Sequence, residues 1–108
     1  MNVQKFNEVV AAQVKMSTDI LFVKAKEYAD AEDRLHNFKT AAALEGITPK
    51  QALAGMMAKH TVPVYDMCMS PSDFPMAMWD EKITDHINYL LLLKAVIVED
   101  LEKCVWLS

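Results

Sequence analysis

The feature that most constrains the fold is the segment 79–99, which begins with carboxylates and continues into a long apolar run. At about 100° per residue, Glu81, Asp85 and Asn88 fall on one stripe of a helix, and we expect this stripe to point inward. Residues 90–98 are apolar on nearly every side, so other helices or a second subunit must cover them. Two acids on such a stripe are costly unless a cation, a basic partner or protonation compensates them.

The composition limits the class of protein. The 108 residues suffice for one domain, 1–108, and the two glycines and four prolines predict few, long elements. A formal net charge of −4 argues against binding to duplex nucleic acid, which requires a basic face. We expect a cytoplasmic protein without a membrane span or signal peptide. Cys68 and Cys104 predict buried free thiols rather than a disulfide.

Helical spacing accounts for most of the chain. Residues 3–28 form the first predicted helix, whose apolar stripe through Phe6, Val10 and Val14 we expect to lie in the core. The stretch 69–78, with two prolines and no helical period, is predicted to be a loop. The predicted fold class is therefore all-α, a four-helix bundle-like domain, and the apolar closing helix predicts an oligomer.

The second and third helices have recognisable ends. Asp30 is predicted to cap a second helix that ends at Gly46, with Asp33 in its first turn. Residues 48–51, Thr-Pro-Lys-Gln, form a capping-box sequence that begins the third helix. Pro63 is predicted to kink or interrupt this helix.

A second group of polar side chains lies on these two helices. Arg34 and Asn37 flank the apolar stripe of the second helix, so we expect them at the edge of the core. Local pairs such as Asp30 with Arg34 are a simpler explanation for the charges here. His60 lies on the apolar stripe of the third helix beside Lys59. A histidine satisfied within the core is the commoner arrangement, whereas a histidine and a lysine together suit a phosphate.

Three segments together resemble a known family. They are Lys24-x-x-Glu-Tyr-Ala-Asp-x-Glu-Asp-Arg-x-x-Asn-Phe-Lys39, Gly55-Met-x-x-Lys-His60 and Glu81-Lys-x-x-Asp-x-x-Asn-Tyr-Leu90. Over roughly residues 20–95 the chain resembles the MazG-like all-α nucleoside triphosphate pyrophosphohydrolases, especially their small phage relatives associated with nucleotide modification. The resemblance implies an oligomeric helical bundle that binds Mg²⁺ or Mn²⁺ through carboxylates and splits a nucleoside triphosphate between its α- and β-phosphates.

The resemblance also implies roles for individual residues. Glu81 and Asp85 look like the catalytic metal-binding pair of the family's late helix. Many relatives carry a further E-x-x-E pair on an earlier helix; this chain has none there, and Asp30 and Asp33 are the predicted additional ligands. The residues predicted to contact the nucleotide are Arg34, Asn37, Lys39, Lys59, His60 and Asn88.

Three hypotheses follow. The first is Mg²⁺-dependent hydrolysis of a nucleoside triphosphate to monophosphate and pyrophosphate by a homodimer or homotetramer. The second, suggested by the missing acid pair, is a non-catalytic phage protein that binds a nucleotide or inhibits a host protein. In the third, Glu81 and Asp85 pair with Arg34 or Lys59 in a structural ion network.

Overall fold

The computed structural model describes the backbone of residues 1–28 and 33–107 and the side chains of residues 1–23 and 33–103. This part of the chain contains the helices α1 (Val3–Tyr28), α2 (His36–Glu45), α3 (Pro49–Met69) and α4 (Met76–Leu107). The predicted all-α, four-helix fold is confirmed. The predicted cap at Asp30 and the thiol of Cys104 lie outside the described residues.

The longest helix, α4, is at the centre of the packing. Helices α1 and α3 pack against it, and α2 packs against α3, in a molecule that measures 49 × 29 × 28 Å. The core consists of Leu35, Phe38, Leu53 and Val96. Leu53 and Val96 are 0% and 2% exposed, respectively, so the α3–α4 contact contains the most deeply buried apolar groups of the core.

The boundary between α2 and α3 has the predicted chemistry. Gly46 ends α2 in the left-handed region, with a φ of 69°, and its N–H donates to the carbonyl oxygen of Ala42. The Gln51 N–H donates to Thr48 Oγ1 at 3.2 Å, and the Thr48 N–H donates to Gln51 Oε1 at 3.0 Å. These bonds confirm the predicted glycine C-cap and capping box. Both motifs could be predicted because each depends on residues that are close in sequence.

Two other boundaries differ from the prediction. Helix α2 begins at His36, after a turn in which Asp33 Oδ1 accepts a hydrogen bond from the Leu35 N–H at 2.9 Å. Asp33 therefore precedes the helix, because its carboxylate competes for the backbone donor. Helix α4 begins at Met76 rather than at Trp79, since the intervening residues are good helix formers.

Helix α3 continues through Pro63 to Met69, so the predicted interruption is wrong. Proline removes one backbone donor, which normally weakens a helix. Here α3 packs against both α2 and α4, and this tertiary support holds the helix together across the proline.

The apolar stripe of α1 is not buried within the single chain. Phe6, Val10 and Val14 are 57%, 44% and 55% exposed, so their predicted place in the core is wrong for an isolated chain. Helix α1 packs mainly against α4, and one neighbouring helix covers only one face. Cys68 is also exposed, contrary to the prediction of a buried thiol.

The apolar half of α4 is covered on part of its circumference. Val96 faces the core, whereas Leu90, Leu91 and Val98 are 48%, 44% and 41% exposed.

Within the described ranges, no helix combines the length and the apolar character needed to cross a bilayer.

Candidate functional site

One face of α4 carries the candidate site. Asn88 is buried, and the Asp85 side chain is 24% exposed, so these two residues lie inward as predicted. The Glu81 side chain is 66% exposed, and Lys82 Nζ lies 3.9 Å from its Oε1. The predicted inward position of Glu81 is therefore wrong, because an exposed carboxylate keeps the hydration that burial would remove.

Helix α3 brings His60 against Asp85 and Tyr89. His60 Nδ1 lies 3.6 Å from Asp85 Oδ2, and its ring stacks on that of Tyr89 with a centroid distance of 4.6 Å and an angle of 26°. Burial, and then the charge of Asp85, raise the pKa of Tyr89, which keeps the phenol protonated at neutral pH. The structural hypothesis paired Asp85 with an arginine or a lysine; among the described residues, the basic side chain that lies beside its carboxylate is His60 instead.

A cavity of about 290 Å³, here called the central cavity, borders Asp85. Its lining combines predicted polar residues with apolar and aromatic ones: Arg34, Asn37, Asp85 and Asn88 with Leu21, Phe38, Met56, Tyr89 and Leu92. Apolar walls with a few polar groups are typical of small-molecule sites, and this volume is near the lower end of their range. Arg34 also borders a more open cavity of about 660 Å³ together with Asp33 and Glu99.

A second depression, here called the acidic groove, shares Asp85 with the central cavity. It has a volume of about 340 Å³ and is lined by Met16, Ile20, Asp80, Glu81, Thr84 and Asp85. Three carboxylates from the first turns of α4 therefore border one groove. Asp85 lines both this groove and the central cavity.

The acidic groove has the donor chemistry that Mg²⁺ and Mn²⁺ prefer. Mg²⁺ is commonly held by one or two carboxylates together with substrate phosphates and water. Among the residues that the structure describes, no three His, Cys, Asp or Glu side chains are grouped closely enough to hold a metal by themselves. Carboxylates therefore line the groove, but the described residues do not form a closed protein cage for a metal ion.

Asp33 and Lys39 belong to a separate ion cluster that joins the turn before α2 to α4. Lys39 Nζ lies 2.7 Å from Asp33 Oδ2 and 2.5 Å from Glu99 Oε1, and Lys103 Nζ lies 3.4 Å from Glu99 Oε1. The hydrogen bonds from Lys39 lower the pKa of Asp33 and of Glu99, and the same bonds raise the pKa of Lys39. The cluster joins Asp33 and Lys39 to α4, and the proposed ligand roles of both residues stay predictions.

We expect this cluster to make stability depend on pH in both directions. The lowered pKa values of Asp33 and Glu99 mean that their contribution is present above the unfolded-state carboxyl pKa and lost as the pH falls through the folded values. The raised pKa of Lys39 means that its contribution is present below the unfolded lysine pKa and lost as the pH rises through the folded value.

The Lys39→Met variant should therefore have a flatter pH dependence of Tm than the wild type at both ends of the range. Thermal unfolding followed by circular dichroism from about pH 3 to about pH 11 measures this, since the range covers both kinds of group. Lys50→Met, at an exposed lysine of α3, is the matched control. Identical pH profiles for the two variants would contradict the assignment.

A buried polar layer between α1 and α4 was not predicted from the sequence. Gln13 Nε2 donates to Ser17 Oγ at 3.0 Å and to Thr84 Oγ1 at 2.8 Å, while Asn88 Nδ2 donates to the Ser17 carbonyl at 3.1 Å. Ser17 and Thr84 are each 1% exposed. Asn88 Oδ1 is buried without a hydrogen-bond partner in the described structure, a state that costs about 1–3 kcal/mol. The sequence feature that could have indicated this layer is Ser17, a polar residue on the otherwise apolar stripe of α1.

The structure gathers part of the predicted site. Arg34, Asn37, Asp85 and Asn88 line one cavity, and His60 contacts Asp85. The remaining predicted residues lie elsewhere: Glu81 in the acidic groove, Lys59 exposed on α3, Asp33 and Lys39 in the ion cluster, and Asp30 outside the described residues. Asp80 and Tyr89 line the candidate site but were not predicted as site residues. The one-turn spacing from Asp85 could have identified Tyr89.

Comparisons of the chain with family models, curated proteins and solved structures give no match. The MazG-like resemblance therefore remains an expectation drawn from three sequence segments. The site itself, with Asp85 between a mixed cavity and an acidic groove, carries the functional inference.

Proposed function

We propose that this chain is a Mg²⁺-dependent nucleoside triphosphate pyrophosphohydrolase of phage type, acting in the cytoplasm of the host cell. The observation that supports the proposal is the position of Asp85, which lines both the central cavity and the acidic groove. A nucleotide combines a flat, weakly polar base with a polyanionic tail. The cavity suits the first part, and the groove suits the second once a metal ion is present.

The reaction converts a nucleoside triphosphate and water into a monophosphate and pyrophosphate. The water oxygen forms a bond to the α-phosphorus, the bond from this phosphorus to the α,β-bridging oxygen breaks, and a water proton is released to solvent or product. Asp80, Glu81 and Asp85 are the residues that would hold Mg²⁺ or Mn²⁺. The bound ion would supply positive charge that offsets the triphosphate and polarises the phosphorus under attack.

Basic side chains near the cavity supply further charge compensation. Arg34 lines the central cavity, and its planar guanidinium is suited to bidentate contacts with phosphate oxygens. His60 lies beside Asp85, and Lys59 precedes it on α3. Lys39 is held by two carboxylates, so its participation in phosphate binding would require the ion cluster to open.

Pyrophosphate release from a panel of ribo- and deoxyribonucleoside triphosphates, with Mg²⁺ or Mn²⁺, tests the proposal directly. We expect at least one triphosphate to yield equal amounts of monophosphate and pyrophosphate, and no free phosphate. Absence of release across the whole panel, from a folded protein, would contradict the enzymatic proposal. Release of single phosphates would contradict the assigned bond cleavage.

One observation favours a second candidate, a phage protein that binds a nucleotide without turning it over. Within the described ranges the acids do not form a group of three that could hold a metal on its own. A binder predicts a nucleotide-dependent rise in Tm without product, because a ligand that binds only the folded state stabilises it. If neither release nor a nucleotide-dependent rise is observed, inhibition of a host protein is the remaining form of this candidate.

We further propose a homodimer, or a homotetramer built from such dimers, as the working assembly. The apolar stripe of α1 and the exposed side of α4 are the surfaces that support it, since contiguous apolar patches on soluble proteins commonly mark interfaces. A second copy would cover both helices without any new chemistry.

Substitution within the α1 stripe tests this assembly. Val14→Glu should convert a dimeric or tetrameric wild-type protein to monomers, because burial of the introduced carboxylate at an interface is costly. Sedimentation velocity measures the change. Leu44→Glu, at an 84% exposed leucine of α2, is the control and should leave the assembly unchanged. A monomeric wild type, or a Val14→Glu variant that still assembles, would contradict the proposal.

A further inference from the structure

Asn88 is the most deeply buried of the polar residues that line the central cavity. The residue is 7% exposed, and one N–H group of its Nδ2 donates to the Ser17 carbonyl at 3.1 Å. Its Oδ1 is buried and accepts no hydrogen bond among the described residues. The side chain therefore has an unused acceptor, Oδ1, while its amide nitrogen is anchored to α1 through one of its two N–H groups.

The surroundings of Asn88 suit a flat heterocycle better than a phosphate. Phe38, Met56 and Tyr89 contribute aromatic and thioether surface to the same wall, and such surface packs well against planar rings. Asp85 adds a carboxylate at the side shared with the acidic groove, and this charge repels a phosphate that lacks a metal ion. The cavity of about 290 Å³ is large enough for a single base but small for a whole nucleoside triphosphate.

We infer that the base of a nucleotide occupies the central cavity and donates one of its N–H groups to Asn88 Oδ1. This inference rests on the proposed nucleotide substrate and adds which residue selects the base and through which atom. The phosphates extend past Asp85 to the acidic groove. Because Oδ1 is covered in the free protein, the inferred hydrogen bond requires the cavity lining at Asn88 to rearrange when the base binds.

A change in the ligand rather than in the protein tests the hydrogen bond without risk to folding. Binding of the common deoxynucleoside 5′-monophosphates is measured by calorimetry in the presence of Mg²⁺, and the tightest binder is compared with its base-methylated analogue. The analogue carries a dimethylated exocyclic amine for adenine or cytosine, a methylated ring nitrogen for thymine, and both changes for guanine, so that no N–H group of the base remains. We expect about tenfold or greater loss of affinity, since the methyl group leaves the acceptor unpaired.

Two matched variants test the location. Met56→Trp fills the cavity wall and should reduce binding of the same monophosphate at least about tenfold, as expected when a bulky side chain obstructs a pocket. Met57→Trp, at a neighbouring methionine that packs against the core but does not line the cavity, is the control and should bind normally. Thermal unfolding of both variants verifies that each remains folded.

The outcomes separate this inference from the proposed function. Equal affinity for the parent and methylated monophosphates, undiminished binding by folded Met56→Trp, or no binding of any monophosphate would overturn the inference, even if pyrophosphate is released. Binding that requires the N–H group and an open Met56 wall would support it, even if no triphosphate is hydrolysed.

Discussion

We expect Asp85→Asn to reduce pyrophosphate release by more than about 100-fold while the protein stays folded. The substitution keeps the size of the side chain but removes the charge that borders both the central cavity and the acidic groove. The loss of the His60 contact costs little, because the pair is 3.6 Å apart and both side chains are about a quarter exposed. Release assays and thermal unfolding on the same samples measure both effects.

The matched control is Asp66→Asn, at an exposed aspartate of α3 that lines neither depression. This variant should retain wild-type release. Unchanged activity of Asp85→Asn would exclude its proposed metal and substrate role. Unfolding of Asp85→Asn under conditions where Asp66→Asn is stable would instead support the structural ion-pair hypothesis, in which loss of the carboxylate leaves a basic partner unpaired.

Leu53→Ala should lower the free energy of unfolding by about 2–5 kcal/mol. Leu53 is 0% exposed and lies in the core cluster with Leu35, Phe38 and Val96, where α2, α3 and α4 meet. Truncation removes apolar contacts and leaves a cavity that close-packed neighbours fill only in part. Domains of this size have total stabilities of about 5–15 kcal/mol, so the loss is a large fraction of the total.

Urea unfolding at one temperature measures this difference. Leu44→Ala, at a leucine of α2 that is 84% exposed, is the control and should change the free energy of unfolding by less than about 0.5 kcal/mol. Similar effects of the two substitutions would mean that the core is not centred on Leu53. If the protein is dimeric, the comparison is made at one protein concentration, because assembly contributes to apparent stability.

The candidate site could be predicted only in part. The one-turn spacing from Asp85 and the motif segments identified Arg34, Asn37 and Asn88, which the structure places around one cavity. The spacing also placed Glu81 inward, and this was wrong. Helical spacing shows which residues share a face, but not how far along that face a neighbouring helix buries them. Asp80 was missed because it lies beside the stripe rather than on it.

Some properties of this chain follow from local sequence alone. The helices, the left-handed Gly46 and the capping box from Thr48 to Gln51 depend on groups within a few residues of each other. The local sequence was therefore sufficient to predict them. Leu35, Phe38 and Ala42 are buried together, since helical spacing places these residues on one face.

Other properties were decided by contacts between distant residues. Helix α3 continues through Pro63 because α2 and α4 support it. Asn88 Nδ2 donates a hydrogen bond to the carbonyl oxygen of Ser17, 71 positions earlier in the chain. The stripe of Phe6 and Val14 is apolar in sequence yet exposed in the single chain, because burial requires a neighbour that the chain itself does not place there. Sequence determined which faces are apolar and where α2 ends and α3 begins. Only the tertiary structure determined which of those faces are buried, because burial depends on the neighbouring element and not on the helix alone.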